Sequence, residues 1–245
     1  MMHHIRVKEY GMPAVLGVCI LVASLLLGTW AGAQAPKKGT GSSGGLTASK
    51  AADGLKEALR VGTDHAVLRT GKQDGYFGNK LIKILLPDNL KPVEQGLRAV
   101  GYGPKVDELV LSMNRAAEKA APFAKDIFVN AITSMTFDDA TKILKGGDTS
   151  ATDFFKRKTS GSLYKAFRPV VDNSMNQVGT VQQYNEVVGG LDNIPFVKKE
   201  SLDIGHYVTD KALDGLFVIV AEEERQIRKN PAARVTNLLK DVFGR

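Results

Sequence analysis

The side chains whose type and spacing could do chemistry are carboxylates and arginines at helical spacings. Asn114, Arg115 and Glu118 fall within one helical turn. Arg115 and Glu118, three residues apart, suit a local ion pair of a few tenths of a kcal/mol if exposed, and they form a polar site if a second layer covers them. Farther along, Thr209, Ala212, Leu213, Leu216, Ile219, Val220 and Ile227 share one helical face with Glu223 near its centre. Glu223 is thus expected to be the buried carboxylate. It must then either stay neutral or take a basic partner, for which Arg115, Arg228 and Arg234 are available. An ion pair that fixes helix register is the simpler reading. Asp214 interrupts the apolar run from Ala212 to Ala221 and shares the opposite side with Tyr207, Asp210, Arg225 and Arg228. That side lines a polar groove or faces solvent, the commoner place for a carboxylate. Glu222, Glu223 and Glu224 diverge by about 100° per residue and cannot serve one site, while Glu224 and Arg228 form an ordinary i, i+4 pair.

Most catalytic and metal chemistries lack their residues. The chain has one cysteine, Cys19, and four histidines, of which His65 and His206 lie far apart without a motif around either. Disulfide frameworks and tetrahedral zinc sites are therefore excluded, and no metal or cofactor is expected. No G-x-S-x-G elbow occurs, and Ser160-Gly161-Ser162 reads as a helix start where serines cap. Gly101-Tyr102-Gly103 lacks the preceding strand and third glycine of a phosphate loop and reads as a turn. Asp138-Asp139 is most simply a helix N-terminus favoured by the macrodipole. The sequence assigns no reaction.

The elements that must position these groups are helical. In 245 residues with 43% hydrophobic and 24% charged side chains, composition is that of a globular protein. Residues 1–35 read as an export signal. Arg6 and Lys8 precede an apolar stretch from Ala14 to Leu27, which as a helix would rise about 21 Å against about 30 Å of hydrocarbon core. An uncleaved anchor is the alternative. Small residues Ala31, Ala33 and Ala35 set cleavage before Gln34 or Pro36, the latter preferred, and removal of Cys19 with the leader leaves no thiol. The location expected is periplasmic. Residues 36–48, rich in glycine and serine, form a flexible linker, and 49–245 a single helical domain.

Within that domain Ser49 opens a helix that Gly71 stops, whereas 74–87 is ambiguous because its apolar run is too short to show a period. Helix resumes over 88–100. Val106, Leu109, Val110, Met113, Ala116, Ala117 and Ala120 then form a stripe that stays in phase through Ala124, Ile127, Phe128, Ala131 and Met135. One long central helix over about 105–135, of about 46 Å, is expected, with a kink or a short break at Pro122. Thr136 and Asp139 make a capping box for a helix ended by Gly146-Gly147. Segments at 151–158, 162–179 and 181–189, a loop at 192–199, a long helix from about Asp203 to Arg228 and a short one over 231–243 complete an all-α multi-helix bundle.

Several blocks in order, NRAAEKAAPFAKDIF (114–128), MTFDDATKIL (135–144), ATDFFKRKT (151–159), YVTDKALDGLF (207–217) and AEEERQIRKNPAARVTNLLKDVFG (221–244), resemble the Domain of Unknown Function 4197 family. The resemblance covers about 54–244 and implies an exported, mostly helical protein of Gram-negative bacteria, with no activity, cofactor or site to carry over. The functional expectation is a non-enzymatic binding or carrier module for a small or amphipathic ligand. Alternatives are a structural or interaction protein of the envelope and, third, an enzyme built on Arg115, Glu118, Glu223 and Arg234. Net charge of +7, spread along the chain, gives no reason to expect nucleic acid. It allows weak, salt-sensitive association with an anionic membrane surface.

Overall fold

In the computed structural model residues 48–177 and 203–229 are described, and among them there are helices and connecting segments but no strand. The helices are α1 (Ala48–Gly71), α2 (Lys91–Ala99), α3 (Gly103–Ala120), α4 (Ala124–Thr133), α5 (Phe137–Lys145), α6 (Ser150–Gln177) and α7 (Ile204–Lys229). The expected leader, and the linker up to residue 47, lie outside the described residues, as do the segments expected at 181–189, 192–199 and 231–243. No described helix is long and apolar enough to cross a membrane.

The bundle forms because its three longest helices each bury a stripe against a neighbour. α6 packs on α3 and α7, α7 also packs on α1, and α1 on α4. The stripe of α3 is buried as its spacing requires, from Val106 through Ala120, and Ala124, Phe128 and Ala131 continue it. Phe128 meets Phe155 and Phe217 edge-to-face at 5.1 and 6.3 Å between centroids, the arrangement aromatic quadrupoles prefer. Of the two outcomes expected at Pro122 within 105–135, a kink or a short break, the structure has the break, and the element is two helices. Pro122 cannot donate to the carbonyl of Glu118, and a 3-10 turn at Ala121–Phe123 takes up the defect without losing phase. The proline ring fits against the end of α1, where a Cβ at Gly71 would lie 3.1 Å from Pro122 Cγ.

α6 is continuous where separate pieces at 151–158 and 162–179 were expected. Ser160 does not cap a helix start; its hydroxyl donates back to the Lys156 carbonyl at 2.7 Å inside α6. Phe154, Phe155, Thr159, Leu163, Phe167, Val171 and Met175 are buried along one stripe, and this packing carries the helix through Gly161. Pro169 lies on the solvent side, where the carbonyl it leaves free can be hydrated. The capping box of α5 is present as its sequence requires: Thr136 Oγ1 accepts from the Asp139 N–H and Asp139 Oδ2 from the Thr136 N–H, both at 3.1 Å.

Between α1 and α2 the chain runs from 72 to 90 without a regular helix except for the turn Asp88–Leu90. The ambiguous apolar run lies here. Ile82, Ile84 and Leu86 are buried while Leu81 and Leu85 are exposed, an alternation of period two that marks an extended chain. This strap crosses α3 and α7 and buries Tyr76 fully.

Candidate functional site

The buried polar groups of α3 are what hold the strap. Asn114 Oδ1 accepts from the Ile84 N–H at 2.8 Å, and its Nδ2 donates to the Ile84 carbonyl at 2.7 Å and to the Val110 carbonyl at 2.7 Å. One turn on, Glu118 Oε1 accepts from the N–H groups of Tyr76 and Phe77, each at 3.1 Å. Its other oxygen takes Arg115 Nη1 at 2.6 Å, and Arg115 Nη2 reaches Asp74 at 2.7 Å. The Glu118 carboxylate, followed by that of Asp74, raises the Arg115 pKa by accepting its hydrogen bonds. Asp74 itself has φ +62°, a left-handed conformation that costs a non-glycine residue energy and that the Arg115 pair helps to hold. From the other side the Tyr76 hydroxyl donates to the Ala212 carbonyl at 2.6 Å, and burial pushes its pKa well up, so it remains a phenol. Asn114, Arg115 and Glu118 thus meet at one place, under a loop and not under a second helical layer.

Glu223 is not the buried carboxylate; Glu224 is, at 6% exposure. α7 is flanked by α1 on one side and α6 on the other, so the centre of its apolar face does not mark its deepest position. Glu224 projects to the start of α6, where Oε1 accepts from the Ala151 N–H at 3.0 Å and Oε2 from the Thr152 N–H and hydroxyl at 2.9 Å each. Arg228 donates to Glu224 Oε1 through Nε at 3.0 Å and Nη2 at 2.9 Å, and to the Ile143 carbonyl. The pair expected to be ordinary therefore joins a buried carboxylate to a partly buried arginine, and the carboxylate caps a helix. Glu223 lies at the edge toward α1, where Arg69 Nη1 stands 2.6 Å away and His65 Nδ1 3.4 Å. No hydrogen bond or ion pair joins it to Arg115 or Glu118 among the described residues, and Arg234 lies outside them. Of the four, Arg115 and Glu118 are paired with each other and Glu223 is bonded elsewhere.

Asp214 is exposed and stands 3.8 Å from Lys211. It lines a groove of about 440 Å³ between the strap and α7, whose floor is Ile82, Ile84, Leu86 and Gly215. At Gly215 a Cβ would lie 2.7 Å from the Tyr76 ring and 3.1 Å from Ile82, so glycine is what lets the strap seat against α7. Tyr207 closes one end by donating its hydroxyl to the Leu85 carbonyl at 2.8 Å, and burial, then Asp88, raises its pKa. The rim carries exposed Leu81, Leu85 and Val218 beside Lys83 and Lys211. Lys83 lies 3.9 Å over the Phe77 ring and forms no ion pair among the described residues.

A second polar cluster, not anticipated from sequence, ties α6 to the start of α7. Arg168 donates to Asp172 at 2.7 Å, to Tyr164 at 3.2 Å and to both oxygens of Asp203, while the Tyr164 hydroxyl lies 2.7 Å from His206 Nδ1. Asp210 stands 3.3 Å from His206 Nε2. The only local signal was the i, i+4 spacing of Arg168 with Asp172 and of His206 with Asp210; the rest depends on two helices meeting. Among the described residues no group of His, Cys, Asp and Glu is arranged to hold a metal ion.

No curated protein and no solved structure matches the chain. A family model described as a protein of unknown function, DUF4197, matches residues 45–244, and the chain belongs to that family.

Proposed function

We propose that the protein is an exported, non-enzymatic binding module that takes an amphipathic ligand in the groove between the strap and α7. The observation that carries this reading is the convergence of three exposed aliphatic side chains on one cleft. Leu81, Leu85 and Val218 are 70%, 56% and 39% exposed, and all three line it. A cleft of about 440 Å³ falls within the range of about 300–1,000 Å³ common to ligand sites, with an apolar lining and a few polar groups for orientation. Lys83 and Lys211 supply the cationic part of that lining. Export is supported by the charged start and apolar stretch of residues 1–35.

A binding rather than a catalytic role is supported by how the buried carboxylates are used. Both oxygens of Glu118 and of Glu224 already accept hydrogen bonds from backbone, hydroxyl or guanidinium donors. A general acid or base must be able to exchange a proton with a substrate within hydrogen-bond reach, and these groups are spent on holding the chain.

The test is titration with an anilinonaphthalene sulfonate dye, an anionic amphiphile whose emission rises in an apolar site. Binding is expected, with a loss of about tenfold or more in Leu85→Asp and none in Phe137→Asp, an exposed aromatic that does not line this cleft. Equal dye binding by all three proteins would remove the groove as the site.

A further inference from the structure

The geometry points to an extended polypeptide segment, bearing an aliphatic side chain flanked by carboxylates, as the occupant of this groove, pairing through its backbone with Lys83 and Leu85 of the strap. This rests on the binding reading above and names its ligand class.

The strap is bonded along one side like a strand within a sheet, although no strand occurs among the described residues. Toward α3, both the N–H and the carbonyl of Ile84 are taken by the Asn114 amide, which stands where a neighbouring strand would be. The Lys83 N–H closes the preceding turn on the Asn79 carbonyl at 2.8 Å; from there the chain is extended and consecutive residues turn their polar groups to opposite sides, so the Lys83 carbonyl and the Leu85 N–H and carbonyl face α7. The Tyr207 hydroxyl, reaching the Leu85 carbonyl from α7, confirms that direction. On this side the Leu85 N–H and the Lys83 carbonyl have no hydrogen-bond partner among the described residues. A donor and an acceptor flanking one residue are what a parallel partner strand satisfies with the carbonyl and N–H of a single residue. An acyl chain offers no donor for the Lys83 carbonyl. The strap's own pattern supplies the side-chain preference: Leu81 and Leu85 are exposed beside Val218, and Lys83, which forms no ion pair among the described residues, stands between them, while the carboxylates of the lining, Asp88 and Asp214, are taken by Lys91 and Lys211.

The experiment is calorimetric titration of the purified chain with three probes. The first is a blocked pentapeptide of alternating valine and glutamate, the second the same peptide N-methylated at its central residue, the third dodecanoate. Binding of the first, weakened about tenfold or more by N-methylation, is expected, because N-methylation removes the donor to Lys83 and obstructs the pairing. Leu85→Pro should weaken the unmodified peptide about tenfold more than Leu85→Ala, which trims the side chain and keeps the N–H, with no difference in thermal midpoint between the two variants, since that N–H has no partner in the free protein and Ile84 before it is extended. Equal binding of both peptides overturns backbone pairing. Dodecanoate binding without peptide binding overturns the peptide and keeps the binding module, and failure of all three probes removes both.

Discussion

The side-chain amide of Asn114 closes a two-bond ring with the backbone of Ile84, thirty residues earlier in the chain, at 2.8 and 2.7 Å. Both partners are buried, so neither bond can be exchanged for water. Asn114→Leu keeps the volume roughly but strands a donor and an acceptor of Ile84. We expect a loss of about 2–6 kcal/mol, at about 1–3 kcal/mol for each buried group left unsatisfied. Urea denaturation measures it; a loss under about 1 kcal/mol would mean that the strap opens to water at little cost.

Gly215 makes the complementary prediction on the α7 side. A methyl there would stand 2.7 Å from Tyr76 Cε1 and 3.1 Å from Ile82 Cβ, and Tyr76 is fully buried and bonded to Ala212. Gly215→Ala should destabilise by about 1–3 kcal/mol through overpacking, despite the better helix propensity of alanine. The same denaturation series should show that pairing it with Tyr76→Phe gives less than the sum of the two losses, because a ring no longer tethered to the Ala212 carbonyl can move away from the added methyl.

Gly161 predicts the opposite sign. It lies mid-helix in α6, exposed, with nothing within 4 Å of where a Cβ would be. Gly161→Ala should raise stability by about 0.5–1 kcal/mol, chiefly by restricting the unfolded chain. A fall in the thermal midpoint would show that α6 is not helical at this point.

These three sites also show which parts of the fold can be read from a sequence. The α5 capping box was legible because both partners, Thr136 and Asp139, lie within one turn. The stripe from Val106 to Ala131 was legible because burial follows a single phase. Continuity of α6 was not, since local propensity at Ser160-Gly161 points to a break and only packing by Leu163 and Phe167 overrides it. The strap was unreadable for a different reason. Its alternation is as short as an ambiguous helix fragment, and what makes it extended is Asn114, a distant side chain. Glu223 is the central carboxylate of a helix with one apolar face, but a helix packed between α1 and α6 has two, and Glu224 falls on the side toward α6. Of the residues that line the groove, Asp214 and Tyr207 could be placed on one side of their helix from spacing alone; the leucines that define the groove look like ordinary core positions until the strap's register is known.

Glu224 is expected to be the most sensitive single carboxylate. It accepts two N–H groups in the first turn of α6 and pairs with partly buried Arg228. Glu224→Ala leaves the Ala151 and Thr152 donors and a guanidinium without their acceptor, and should cost about 3–5 kcal/mol. Glu224→Gln keeps one acceptor oxygen and should cost less. Loss of helical circular dichroism at 222 nm as well as stability in the alanine variant would place the damage in α6.

Acid should weaken the fold through carboxylates that the native structure favours in their charged form. The His206 N–H, together with the Arg168 guanidinium, holds Asp203 below its ordinary value of 3.8. The Thr136 hydroxyl, then the Thr136 N–H, does the same for Asp139. A carboxyl whose folded value is depressed contributes stability that is complete above its unfolded value and is lost as pH falls through the folded one. Stability measured by urea midpoint should therefore hold on the neutral side and decline once pH drops below 3.8. Asp203→Asn combined with Asp139→Asn should start lower and decline less over that range, because neither amide takes up the proton that drives the loss. Parallel declines in the parent and the double variant would assign the acid sensitivity to other carboxylates. Both groups are largely exposed, so the difference between the proteins should also shrink at high salt, where Arg168 is screened from Asp203.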